Sequence, residues 1–183
     1  MGMGRGVTRP SDPPVSVASE LLALRQRVDE ETARLEDRHR ARLRCAKGCC
    51  DCCVDDLSVF EVEAERIRAL HPAVLRSAPA PEGGCAFLDG EGACRIYESR
   101  PHVCRTQGLP LRWIDWEEEV EARSICPLNE EGPSLVELPA EDCLELGPNE
   151  AQLATLEARR SGVAMGSSLA RVRLRDLFEG SGQ

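Results

Sequence analysis

Cys45-Ala46-Lys47-Gly48-Cys49-Cys50-Asp51-Cys52-Cys53 places five of the chain's ten cysteines within nine residues. A buried thiol packs as a small hydrophobe, which gives it no reason to cluster beside Lys47 and Asp51. The density therefore points to metal ligation, and the neighbouring elements read as supports for it.

Clustered cysteines have two chemistries, and the compartment separates them. Residues 1–14 carry Gly, Pro, Arg5 and Arg9 without an apolar core, and the run Leu21–Leu24 is too short for a signal or a membrane span. The expectation is a cytoplasmic chain, where thiols stay reduced and bind metal; the adjacent pairs Cys49-Cys50 and Cys52-Cys53 would also close poor disulfide loops. A net charge of −9 speaks against a general nucleic-acid binder, and no membrane partner is expected. Charge is unevenly placed: six basic and two acidic side chains lie between Arg34 and Lys47, while Asp115–Glu121 holds five acids and no base. With 183 residues and only six aromatics, one core is expected, with bound metal supplementing apolar burial.

In chain order, residues 1–14 read as a disordered tail. Residues 16–43 form a helix whose Leu21, Leu24, Val28 and Leu35 keep an apolar stripe; it docks on its own chain or, as the alternative, on a protein partner. Ser58-Val59-Phe60-Glu61 has the pattern of a capping box opening a helix to Leu70, with Val59, Val62, Ile67 and Leu70 buried and Pro72 as the stop. Pro79, Pro81, Gly83 and Gly84 make a connection to Cys85. Asp89-Gly90 turns the chain so that Cys85 faces Cys94. A helical turn at Ile96–Ser99 ends before Pro101 and returns Cys104 toward Cys94. Leu111–Ile114 and Val120–Ile125 read as two strands around the acidic turn, which brings Cys126 beside the cysteines. Residues 151–160 and 168–178 read as helices, and the final Gly-Ser-Gly-Gln as a frayed end. The fold expected is mainly α with a small irregular β component. It comprises a tail (1–14), an N-terminal helix (15–44), a compact cysteine-rich, metal-stapled domain (45–146), and C-terminal helices with a frayed end (147–183).

Cys45-x3-Cys49-x2-Cys52-Cys53, followed by Cys85-x8-Cys94, Ile96-Tyr97, Arg100-Pro101, Cys104-Arg105 and Cys126-Pro127-Leu128-Asn129, resembles the CxxCxxCC cysteine-cluster family of YkgJ-like zinc- or iron-chelating proteins. The resemblance covers roughly residues 44 to 128 and implies a small cytoplasmic bacterial protein that binds zinc or iron. Matching positions to its pattern implies eight ligands: Cys45, Cys49, Cys52, Cys53, Cys85, Cys94, Cys104 and Cys126. Cys50 is a departure, since the pattern needs no cysteine there, and Cys143 reads as a packed thiol.

Eight thiolates serve two tetrahedral zinc sites, two iron-sulfur clusters, or one cluster with a redox pair. Adjacent Cys52 and Cys53 point apart and suit different centres. Four thiolates leave a divalent ion at about −2, so nearby cations must offset the charge. Arg44, Lys47, Arg95, Arg100 and Arg105 are available, with Arg100 and Arg105 as the candidate cofactor-binding pair. None of the histidines has a ligand spacing, although His102 lies within the cysteine block. No nucleotide loop, Ser/His/Asp set or flavin motif is present. The leading reading is a metal-binding protein holding one or two metal centres. The alternatives are an iron-sulfur or non-haem iron oxidoreductase on the same thiols, and an adaptor using the basic helix and acidic turn.

Overall fold

A computed structural model describes residues 16–46, 48–115, 117–164 and 168–179. The expected tail, the frayed end, Lys47 and Trp116 lie outside them. Helix α1 (Val17–Arg38) starts at Ser16, whose hydroxyl accepts the Ser19 N–H at 3.2 Å. Its expected stripe of Leu21, Leu24, Val28 and Leu35 is buried. The first three pack with Phe60, Val62, Leu153 and Leu156, placing α1 against α2 (Glu61–Leu70) and α5 (Pro148–Ser161).

α1 ends at Arg38, five residues before the expected Leu43. Tertiary partners decide the stop. A carbonyl can only accept, so His39 Nε2–H donates to Asp142 O at 2.7 Å. The buried Arg42 guanidinium donates to the carbonyls of Asn129, Glu130 and Pro133. These bonds turn the chain toward Cys45.

Two strand expectations are met and two helix expectations are corrected. β2 (Leu111–Asp115) pairs antiparallel with β3 (Val120–Ser124), and β4 (Leu144–Glu145) joins β2 in parallel, so the order is β3-β2-β4. Ser58 does not cap α2. Ser58–Phe60 is strand β1, paired antiparallel with β5 (Arg171–Arg173), so the expected helix at 168–178 is a strand followed by a single turn at Arg175–Leu177. Alternation explains the strand: Val172 packs on the core while Arg171 stacks over Phe60 at 4.4 Å. The vacated capping role falls to Glu157 of α5, whose buried carboxylate accepts the Val62 N–H at 2.9 Å. Leu70, expected inside, is 48% exposed, and Pro72 opens the short helix α3 (Pro72–Leu75) after the break.

With α4 (His102–Arg105), the described residues hold five α-helices, two of them single turns, and two small sheets. The architecture is mixed α/β, so the mainly α expectation is met only in part. A second apolar cluster joins Val59, Ala64, Ile67, Leu75, Phe87, Ile96, Leu174, Leu177 and Phe178, with the Phe87 and Phe178 rings 4.9 Å apart. Cys85 lies within it, and Cys53, Cys94 and Cys104 pack on its edge. Among the described residues no helix is long and apolar enough to cross a membrane.

Candidate metal centre

Among its described residues the five-cysteine stretch holds no helix or strand, only turns and irregular backbone. Cys49 N–H donates to Ala46 O at 3.0 Å and Cys53 N–H to Cys50 O at 2.8 Å, with Gly48 at φ +91° between them. Cys85 N–H donates to Cys53 O at 2.8 Å, which joins the stretch to the second cysteine block.

The second block is folded by its own signals. Asp89 accepts the Glu91 and Ala93 N–H groups on its side chain, and Leu88 bridges Cys94, so the turn expected at Asp89-Gly90 forms. Tyr97–Ser99 is the expected helical turn, and Cys104 N–H donates to Pro101 O at 3.0 Å at the start of α4. Arg175, which lies far along the chain, donates to the carbonyls of Ala80, Pro81 and Gly84 and pairs with Asp55, holding the Pro- and Gly-rich connection in place. No local pattern marks Arg175 for this role.

Cys49, Cys52, Cys53, Cys85, Cys94 and Cys104 line one cavity of about 570 Å³, together with Arg100. Cys45 and Cys126 lie outside its wall, yet Cys126, Cys49 and Cys52 are close enough for their charge to act on Cys45. Cys49 and Cys52 thus belong to the cavity and also lie near Cys45. Cys45 is pushed up by burial, with a lowering hydrogen bond from Asn129 and raising contributions from Cys49, Cys126 and Cys52. Cys104 is pushed up to about 12 by burial, with Cys85 and Cys94 adding to it. Cys85 and Cys94 are also raised by burial. Contrary to the expectation that the neighbours Cys52 and Cys53 point apart, their side chains are in hydrogen-bonding contact, which brings Cys52 down to about 6, while the same contact and then burial push Cys53 up.

Arg100 lies beside these sulfurs, lowering Cys52, Cys94 and Cys104, and its guanidinium stacks on the Tyr97 ring at 3.7 Å. Arg105 is placed differently. It ties Asp29 of α1 to the carbonyls of Glu98 and Arg100, and the Arg100 carbonyl also accepts from Arg25. Arg105 therefore holds the Arg100-Pro101 corner rather than lining the cavity. Arg95 is likewise engaged by the carbonyls of Ala78 and Ala86 and by Ser77. His102 is buried beside Glu63 and Arg25, and its N–H donates to Glu63 at 2.8 Å. Cys50 stands apart: its sulfur faces Gly92, where an added Cβ would lie 3.6 Å away. Cys143 is buried, and the charges acting on it come from Arg123, Glu121, Arg112 and Asp142, with no cysteine among them.

All ten thiols are free. Among the described residues, no three His, Cys, Asp or Glu side chains form a ready metal-holding group. Thiolates repel one another, so a cation is what draws converging sulfurs to coordination distance. The donor set is all sulfur, with an arginine beside it, which suits zinc or iron. Residues 44–127 match the family model CxxCxxCC, described as "Putative zinc- or iron-chelating domain". The match spans a little under half of the chain. No curated protein and no solved structure matches the chain. The matched segment takes in every expected ligand from Cys45 to Cys126 and agrees with the YkgJ-like resemblance in the sequence.

Proposed function

We propose that the matched segment binds two metal ions, zinc or iron, one held by Cys45, Cys49, Cys52 and Cys126 and the other by Cys53, Cys85, Cys94 and Cys104. What supports this reading is proximity: Cys49, Cys52 and Cys126 lie close to Cys45, whereas Cys85 and Cys104 lie close to Cys53, with Cys52 beside Cys53 where the two groups would meet. Each bound ion would supply the attraction that the loop-rich backbone lacks, so binding and folding of this segment are one process. Arg100 offsets part of the charge left by four thiolates on a divalent ion. Residence in the cytoplasm accords with this role, because reduced thiols are the ligands.

Metal analysis and an absorption spectrum of the full chain purified without air test the proposal. About two equivalents of metal per chain are expected, colourless for zinc and visibly absorbing for iron. Cys53→Ser should lose one equivalent and lower the melting temperature together. A chain free of stoichiometric metal overturns the reading, and a Cys53→Ser variant with full metal and an unchanged melting curve overturns the ligand division.

The cavity supports a second reading. Its volume of about 570 Å³ far exceeds the ~30 Å³ share of one water, which leaves room for a small molecule beside a metal. An iron-sulfur or non-haem iron oxidoreductase would use that room. Reversible bleaching of the visible spectrum by a reductant is its expected sign; a redox-silent protein discards it.

A further inference from the structure

Asn129 lies two residues beyond the matched segment and is fully buried. Its side chain is oriented by the chemistry of its partners. Arg44 N–H can only donate, so Oδ1 faces it at 2.7 Å; Gly108 O can only accept, so Nδ2 faces it at 2.7 Å. The second Nδ2 hydrogen is then aimed at Cys45 Sγ, 3.3 Å away. Gly108 closes the other side of that sulfur. It sits at φ +94°, and a Cβ there would lie 2.6 Å from Cys45 Sγ, closer than real Cβ atoms approach, and 3.4 Å from Asn129 Nδ2. Arg42 braces the cradle by donating to the Asn129 carbonyl at 3.0 Å.

We infer that Asn129 is the positioning residue of the Cys45 centre: its amide donates to the Cys45 thiolate and, with Gly108, fixes where that sulfur points. The inference rests on the two-centre reading above. An N–H···S bond places positive charge at the thiolate, holds one lone pair and leaves another for the ion, as outer-shell donors do elsewhere. The centre formed by Cys53, Cys85, Cys94 and Cys104 has no side-chain amide donor to sulfur among the described residues, so the two ions should differ in release and spectrum.

Cobalt(II) titration of the metal-free full chain tests this. Wild type should take two equivalents. Asn129→Asp keeps the acceptor for Arg44 N–H but loses both donors and sets a carboxylate against the sulfur. One equivalent should then bind about 10–100-fold more weakly, with a shifted sulfur-to-cobalt charge-transfer band, while the other is unchanged. In a Cys45→Ser background, Asn129→Asp should add nothing further. An effect that persists there assigns Asn129 to loop structure alone and overturns the inference, as does an Asn129→Asp spectrum identical to wild type. Should the variant not fold, wild type loaded with a spin-half cadmium isotope gives the answer: the Asn129 side-chain amide proton should show scalar coupling to one cadmium, and no coupling overturns the inference. A wild type that binds no cobalt overturns the two-centre proposal instead.

Discussion

The α1–α5 layer and the cysteine-rich segment are held by different physics. In the layer, Leu21, Leu24, Val28, Leu153 and Leu156 lie at helical spacing and are all at most 3% exposed, so each helix brings its own apolar contact. In the cysteine-rich segment, the described residues from 44 to 57 lie in turns and irregular backbone, six sulfurs line a cavity, and several loops are fastened by arginines donating to carbonyls. Burial in the first region is additive and local. Order in the second rests on turns, loop anchors and sulfurs that a bound cation would draw together.

Removal of metal is the largest expected perturbation. Structural zinc sites contribute on the order of 10 kcal/mol. Chelation should therefore lower the melting temperature of the thiol-bearing loops while the helical circular-dichroism signal of α1 and α5 survives; identical melting curves with and without chelator would erase the contrast between the regions. Proton linkage adds a signature in the metal-free chain. Cys104, raised to about 12 from an ordinary 9.0, stabilises the fold while protonated, and that stabilisation is lost as pH rises from about 9 through 12. Cys45, Cys85 and Cys94 act in the same sense, whereas Cys52, held at about 6, contributes stability that is lost as pH falls toward 6. Melting temperature followed above pH 9 should fall for the metal-free chain and much less for the loaded one.

Leu156→Ala strikes the other region. It leaves a cavity among α1, α2 and α5 and should cost about 2–5 kcal/mol in a denaturant titration, with metal content unchanged. Glu157→Ala should cost about 2 kcal/mol by leaving the Val62 N–H without its acceptor and Arg160 with Glu65 as its remaining carboxylate partner, again with metal content unchanged. The smallest effect is expected from Cys50→Ser. Its sulfur faces Gly92 and belongs to neither proposed ligand set, so metal equivalents should be retained and stability should change by no more than about 0.5 kcal/mol. Loss of an ion in Cys50→Ser would break the division of labour among the thiols.

Much of the scaffold was legible because its signals are local. The α1 stripe needs only helical periodicity, the β2–β3 hairpin needs alternation around an acidic turn, and Asp89 closes its turn within four residues. The misreadings share a cause. Ser58 and Glu61 have capping-box spacing, but Ser58 pairs with Arg173, more than a hundred residues away, and Glu157 supplies the carboxylate that α2 needs. Likewise, Arg171–Arg173 is too short for a periodicity to declare it a strand before β1 is beside it.

By itself the sequence determined the sulfur chemistry: the number of thiols, their spacing, and the turns that let them converge. Covalent identity and short-range backbone preference suffice for that. Only the tertiary structure decided that Cys49 and Cys52 share a cavity with Cys53, Cys85, Cys94 and Cys104, that Arg100 faces them while Arg105 clamps α1 to a corner, and that Asn129 and Gly108 lie against Cys45. These are contacts between segments distant in the chain, and their geometry exists only once the apolar layer and loop anchors have brought the segments together.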